Sequence, residues 1–290
     1  MTGESTSGEN TSAEIIALVG ASGVLGRALA PQLVDAGYRV RAIARHPPAA
    51  ADSIQPVPGD ILNAGEMLAA LKDCSVVIHA ATAVPSPNGG GDWAVNDRIR
   101  REGTTNLLTA AAAHGARCYV QQSIAMLSSV SDTRPQTERD PVAGAGVLAS
   151  AVDMEALVQA SPLDWRIIRG GLFFGPGTGR EEALLAAAQD PDWAVPGDGS
   201  GWLSPVHVDD MAAAMATVIA QGAPNSIYNA VADTPLTWRS LYDSLAAKLA
   251  IPPAGNGGTF ALPSFRVSNA AIKRIGWTPN SSDLEKSIGR

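Results

Sequence analysis

Seven residues, Gly20-Ala21-Ser22-Gly23-Val24-Leu25-Gly26, carry the plainest chemistry in the chain. Glycines at this spacing do three jobs when a strand precedes them and a helix follows. Gly20 permits a tight turn, Gly23 lets backbone approach a pyrophosphate, and Gly26 lets the helix pack close to the strand. The helix then faces the phosphates with its free N–H groups and the positive end of its dipole. A glycine trio alone says little, but the context here is right: residues 15–19 are a short apolar run and residues 24–34 have helical spacing. The pattern predicts a dinucleotide site, with Gly20, Ser22, Gly23, Val24, Leu25 and Gly26 around the pyrophosphate.

The end of the next strand selects the nucleotide. An acidic residue there would bond an NAD ribose, whereas this chain has Arg45, which suits a 2′-phosphate. NADP is the expected cofactor and NAD the alternative. Asp60, followed by Ile61, closes Val57-Pro58-Gly59-Asp60 and would accept from an adenine amino group, or else cap a turn.

Other side chains could do acid–base work. Ser123 can donate a hydrogen bond but is a poor acid. His207 has a suitable pKa, and it equally suits fixing a loop before a helix that Asp209 would cap. Asp153 and Glu155 share one helix, as bases or as a solvated face. Val84, Trp93, Phe173, Phe174, Trp193 and Trp202 would wall an apolar substrate, or pack a core. The histidines and cysteines lack metal-ligand spacing, so no metal is expected.

The elements that position these groups alternate. Strands are predicted at 15–19, 38–44, 54–57, 76–80, 119–122 and 165–168, with helices at 24–34, 64–71, 93–114 and 147–159. Such alternation implies an α/β fold, a Rossmann-type doubly wound parallel sheet. Beyond Gly170 the pattern loosens around Pro176, Pro191, Pro196 and Pro205, although helices recur at 209–220 and 238–249. Residues 15–170 are read as the nucleotide-binding domain. Residues 171–290 are read as mainly a smaller substrate lobe, with some segments returning to the first domain, and residues 1–14 as a disordered tail.

Composition limits the partners. With 46% hydrophobic residues the chain can build a sizeable core. A net charge of −7 without a basic cluster argues against nucleic acid. No apolar run reaches the roughly 20 residues that span a bilayer. Cys74 and Cys118, without a secretory signal, read as reduced thiols. The expectation is a cytoplasmic monomer or homodimer acting on a small molecule.

Further stretches resemble the extended short-chain dehydrogenase/reductase family, also called the NAD-dependent epimerase/dehydratase family, NmrA-like variants included. They are His79-Ala80-Ala81-Thr82, Glu102-Gly103-Thr104-Thr105-Asn106-Leu107-Leu108, the segment from Ile168 to Gly177, Val206-His207-Val208-Asp209-Asp210, Tyr228-Asn229 and Ile275-Gly276-Trp277-Thr278-Pro279. The resemblance implies that Ala80, Ala81 and Thr82 run beside the nicotinamide ribose. It implies that Gly170, Leu172 and Phe173 lie beside nicotinamide and substrate.

The family's chemistry uses a Ser, a Tyr and a Lys in a Tyr-x-x-x-Lys helix. Ser123 resembles the Ser, but the Tyr place falls on Val147 and the Lys place on Ala151. The tyrosines are Tyr38, Tyr119, Tyr228 and Tyr242, and the lysines Lys72, Lys248, Lys273 and Lys286, so no such helix exists here. The resemblance with the pair missing implies an atypical NADP-dependent oxidoreductase of secondary metabolism, acting on a small apolar carbonyl compound. The alternatives are a non-redox cyclase or isomerase on the same scaffold, or a non-catalytic NmrA-like NADP(H) sensor.

Overall fold

Alternate residues of each central strand feed opposite faces of one sheet. In β1 (Ile15–Val19) Ile16 and Leu18 enter one core and Ala17 and Val19 the other. The computed structural model describes residues 14–85, 92–128, 134–259, 262–281 and 284–287. Of the segment read as a tail, residues 1–13 lie outside these, while Glu14 is gripped by Arg117 at 2.5 and 2.6 Å.

The first half alternates strands and helices, with β3 following β2 directly: β1, α1 (Val24–Asp35), β2 (Arg39–Ala44), β3 (Ile54–Pro58), α2 (Ala64–Ala70), β4 (Val76–His79), α3 (Trp93–Arg98), α4 (Thr104–Ala113), β5 (Cys118–Ile124), α5 (Ala149–Gln159) and β6 (Trp165–Gly170). Helices cover both faces, so β4 is buried at all its positions. The single helix expected over 93–114 is divided by a π-helical turn, Ile99–Gly103, between α3 and α4.

The second half adds β7 (Leu172–Phe174), α6 (Arg180–Ala187), β8 (Ala194–Pro196), β9 (Trp202–Leu203), β10 (Pro205–His207), α7 (Val208–Gln221), β11 (Ser226–Ala230), β12 (Leu236–Thr237), α8 (Trp238–Leu249), β13 (Gly255–Gly258), α9 (Ala270–Arg274) and α10 (Leu284–Ser287). The main sheet is seven-stranded in the order β11-β6-β5-β4-β1-β2-β3, and every pairing in it is parallel. β11 and α7 thus return to the main sheet, α7 packing on α1. The small strand pairs β7/β10, β9/β12 and β8/β13 surround a separate core of Leu172, Phe174, Leu203, Trp238, Leu241 and Phe265.

Packing fixes α1, and with it the glycine loop. Leu25, Leu29 and Leu33 recur every fourth residue and are buried. Each contributes about 1.5–3 kcal/mol by leaving water. Among the described residues no helix is long and apolar enough to cross a membrane.

Candidate functional site

The strand order reverses between β1 and β4, and a cleft of roughly 660 Å³ opens there at the carboxyl edge of the sheet. Gly20, Ser22, Gly23, Val24 and Leu25 line one end of it. Gly20 has φ +94°, and a Cβ on it would stand 2.5 Å from the amide nitrogen of Ala81. Gly26 lies behind the lining, where a Cβ would come 2.3 Å from the Gly20 carbonyl, so it keeps α1 tight against the loop. Arg27 steadies the loop by donating to the Ser22 carbonyl at 2.5 Å. The N-cap of α1, Gly23, offers no side-chain cap, which leaves the first N–H groups of the helix to the cleft. A cradle shaped by Gly20, Gly23 and Gly26, ending in free helix N–H donors, fits a dinucleotide pyrophosphate.

Arg45 and Asp60 line the same end. Arg45 is exposed and has no hydrogen-bond or ion-pair partner among the described residues. The Asp60 Oδ1 accepts from the Leu62 amide at 3.0 Å, so this carboxylate does shape a turn. Ile61, Ala80, Ala81, Thr82, Leu172 and Phe173 line the cleft. Gly170 does not; it makes room behind for the Phe173 ring, which a Cβ would meet at 2.8 Å.

Ser123 is turned away from the cleft. The strand expected to end at Gln122 runs on to Ile124, so Ser123 sits inside the ladder, opposite Arg169 of β6. With a period of two, Gln122 and Ile124 line the cleft and Ser123 faces α5. Its hydroxyl donates to Glu155 Oε1 at 2.6 Å, and Glu155 is clamped by Arg169 at 2.9 and 2.7 Å. Both charged side chains of that pair are 3% exposed. Glu155 is therefore a buried ion-pair member rather than a solvated residue or a base facing the cleft.

The other candidates divide in the same way. Val84 lines the cleft beside Phe173. Phe174 is buried, edge-on to His207 at 5.1 Å. Trp193 stacks on Tyr242 at 5.2 Å, and Trp202 lies under the Arg266 guanidinium at 4.3 Å. Trp93 opens α3 outside the lining. His207 caps α7, its Nδ1 accepting from the Asp209 amide at 3.2 Å. It takes the capping role expected of Asp209, whose side chain stays exposed. Asp153 pairs with Arg101 at 2.7 Å on the surface. Val147 is exposed, and Ala151 packs with Leu127 and Leu148.

Two charged cleft residues were among those that escaped the sequence reading. Arg100 rides on the π turn and is 5% exposed; its Nη1 donates to the Val147 carbonyl and the Ser150 hydroxyl, both at 3.1 Å. Arg180, the first residue of α6, lines the cleft with its Nε buried and without a partner. Desolvation lowers the pKa of both guanidiniums from the usual arginine value. Met126 adds an apolar surface beside Ile124 and Phe173. Among the described residues no Tyr, Lys, His or Glu lines this cleft, and its one carboxylate is Asp60.

Residues 20–221 match the model of a family described as NAD(P)H-binding. Over 302 residues the chain is 28% identical to a 3-diazoavenalumate denitrifying reductase of a Streptomyces species, a match spanning 95% of this chain and 99% of that protein. The fold superimposes on the Bordetella bronchiseptica enzyme WbmG in complex with NAD at a TM-score of 0.79, with 19% identity over 97% of this chain and 93% of that one. It superimposes equally, at 0.79 and 23% identity, on DesIV, a dTDP-glucose 4,6-dehydratase from Streptomyces venezuelae with NAD bound, over 94% and 95% of the two chains. At these identities the solved structures speak for the fold, and the chain belongs to the NAD(P)H-binding family on a fold of the extended short-chain dehydrogenase type.

Proposed function

We propose that the chain is an NADP(H)-dependent reductase of a small electrophile that needs no proton from the protein. The observation carrying this reading is the lining of the cleft away from Arg45: Ile124, Met126, Phe173 and Val84 with two arginines and, among the described residues, no side chain suited to general acid–base work. A bound reduced nicotinamide supplies a hydride equivalent. The glycine loop and the N-terminus of α1 would hold its pyrophosphate, and the unpaired Arg45 supports a 2′-phosphate and hence NADP. The apolar walls would exclude water from the reacting atoms.

Positioned acid–base catalysis is worth roughly 10²–10⁴-fold, and a carbonyl or alcohol substrate would forgo it here. An aryl diazonium group would not. Hydride from the reduced nicotinamide forms the new C–H bond as the C–N bond breaks, and N₂ leaves as a neutral gas, so charge balances without a proton from a side chain. The chain's likeness to a diazo-compound reductase along nearly its whole length supports the same choice.

The test offers an aryl diazonium salt and, separately, secondary alcohols and dTDP-glucose, each with NADPH or NADP⁺ as appropriate and each against a protein-free control. Expected are N₂ release and NADPH consumption above the control with the first, and no turnover with the others. Turnover of the alcohols at ordinary enzymatic rates, with no acceleration on the diazonium, overturns the reading.

A further inference from the structure

The protein carries a net charge of −7. Yet among the described residues the ionisable lining of the cleft is Arg45, Arg100 and Arg180 against the single carboxylate of Asp60. Arg45 and Asp60 stand together at the end assigned above to the adenosine. Arg100 and Arg180 come from separate elements, the π turn before α4 and the start of α6.

Neither is held in an ion pair. No carboxylate lies within ion-pair distance of either guanidinium among the described residues, and Asp97 and Glu181 attract Arg100 and Arg180 only from farther off. Asp97 lies 3.9 Å from Arg101. Glu181 accepts from the Gly175 amide at 2.8 Å and from the Thr178 hydroxyl at 3.3 Å. The Arg100 side chain meets one carbonyl and one hydroxyl, both neutral. A desolvated cation with no carboxylate in contact is costly to hold, and that cost falls when an anion enters. The planar guanidinium fork matches a carboxylate in two parallel bonds. The apolar neighbours Ile124, Met126 and Phe173 suit the organic body that such an anion would carry.

We propose that the substrate of this cleft is an organic carboxylate with an apolar body, and that Arg100 and Arg180 recognise its charge. The proposal rests on the reading of the cleft as a reductase site and names its substrate class. The cofactor's own phosphates are provided for by the glycine loop, the α1 N-terminus and Arg45.

The experiment uses protein saturated with NADP⁺ and measures the binding of cinnamate and of cinnamamide by calorimetry. These probes share shape and differ in charge. Wild type, Arg100→Met and Arg180→Met are compared, the methionines keeping an apolar stem, and a thermal melt of each confirms folding. Cinnamate is expected to bind about 10-fold or more tighter than the amide, the worth of a charge-assisted contact. In both variants that preference should collapse while NADP⁺ affinity stays unchanged.

Equal binding of acid and amide to the wild type, or binding of neither up to millimolar concentration, overturns the proposal. So does a loss of NADP⁺ affinity in both variants with the acid preference intact, which would assign the arginines to the pyrophosphate. Either result with diazonium reduction retained removes the substrate class and leaves the reductase reading standing. Failure of the wild type to bind NADP⁺ removes both.

Discussion

Replacing Ser123 by alanine separates a structural hydroxyl from a catalytic one. The Ser123 Oγ donates at 2.6 Å to Glu155 Oε1, which also accepts from Arg169 Nε at 2.9 Å, while Arg169 Nη2 holds Oε2 at 2.7 Å. A hydrogen bond to a charged group is worth about 1.5–3 kcal/mol. Glu155 keeps both arginine contacts in Ser123→Ala, so the cost should lie near the lower end, about 1.5 kcal/mol. Glu155→Gln is expected to be worse, about 3–5 kcal/mol, because it leaves the Arg169 guanidinium buried without its counter-charge. Urea unfolding at neutral pH reads both values, while titration with NADPH and turnover on the diazonium read the site. The expected outcome for Ser123→Ala is a lower unfolding midpoint with cofactor affinity and kcat unchanged. An unchanged midpoint with kcat falling by about 10²-fold or more, the scale of a lost acid–base contact, would refute the placement of this hydroxyl behind the strand.

Other perturbations probe the cofactor end and the core. Arg45→Ala should weaken NADPH binding by about 1.5–3 kcal/mol and leave NADH untouched; equal losses for both cofactors in calorimetry would remove the 2′-phosphate assignment. Gly20→Ala forces a Cβ to 2.5 Å from the Ala81 nitrogen at φ +94°, so cofactor affinity and melting temperature should fall together, and a variant that binds normally would contradict the loop geometry. His79 is fully buried and desolvation depresses its pKa from 6.5 to about 4. The unfolded chain therefore takes a proton below pH 6.5 that the native state refuses until about pH 4, so its contribution is complete above 6.5 and fades as pH falls. At about 1.4 kcal/mol per pH unit that window holds about 3 kcal/mol. Stability of His79→Asn measured between those limits should fall less steeply by that amount, and parallel slopes would exclude the His79 term.

The alternation of elements was legible because both faces of the sheet are covered. Each central strand is a short apolar run, and each helix carries its leucines and alanines at helical spacing. The glycine loop was legible for a sharper reason: Gly20 and Gly26 tolerate no Cβ, and that constraint is written into residue identity. The end of β5 was not. Whether pairing stops at Gln122 or Ile124 depends on β6, through the contact of Ser123 with Arg169 and of Ile124 with Gly170, and no local signal in residues 119–124 reports it. Two extra residues of pairing were enough to put Ser123 on the far face. The π turn was equally silent. It lies inside one continuous apolar periodicity from Trp93 to Ala113, so the run Arg98-Ile99-Arg100-Arg101-Glu102 reads as an ordinary charged helix face. Trp193, Trp202 and Phe174 look like pocket walls by residue type, but stacking on Tyr242, pairing with Arg266 and burial against His207 claim them.

The silent features are also the ones that set the chemistry of the cleft. Helix α5 still touches the end of β5 through Ser123 and Glu155, but the contact is now an interior ion-pair network closed by Arg169. Where the family resemblance leads one to expect Tyr and Lys, at Val147 and Ala151, the chain has an exposed valine and a buried alanine. The cation beside them, Arg100, reaches over from the neighbouring helix segment to the carbonyl of that same Val147 and the hydroxyl of Ser150. A guanidinium is charged at any working pH, so it can hold an anion but cannot pass a proton. A lysine next to a tyrosine serves proton transfer; an arginine without one serves charge recognition. On the proposed reading the exchange shifts the demand onto the substrate, which would present a negative charge to be held and a centre reactive enough to accept hydride without help. Under that proposal, a missing proton-transfer pair and the presence of Arg100 and Arg180 in the cleft are two consequences of one substrate chemistry.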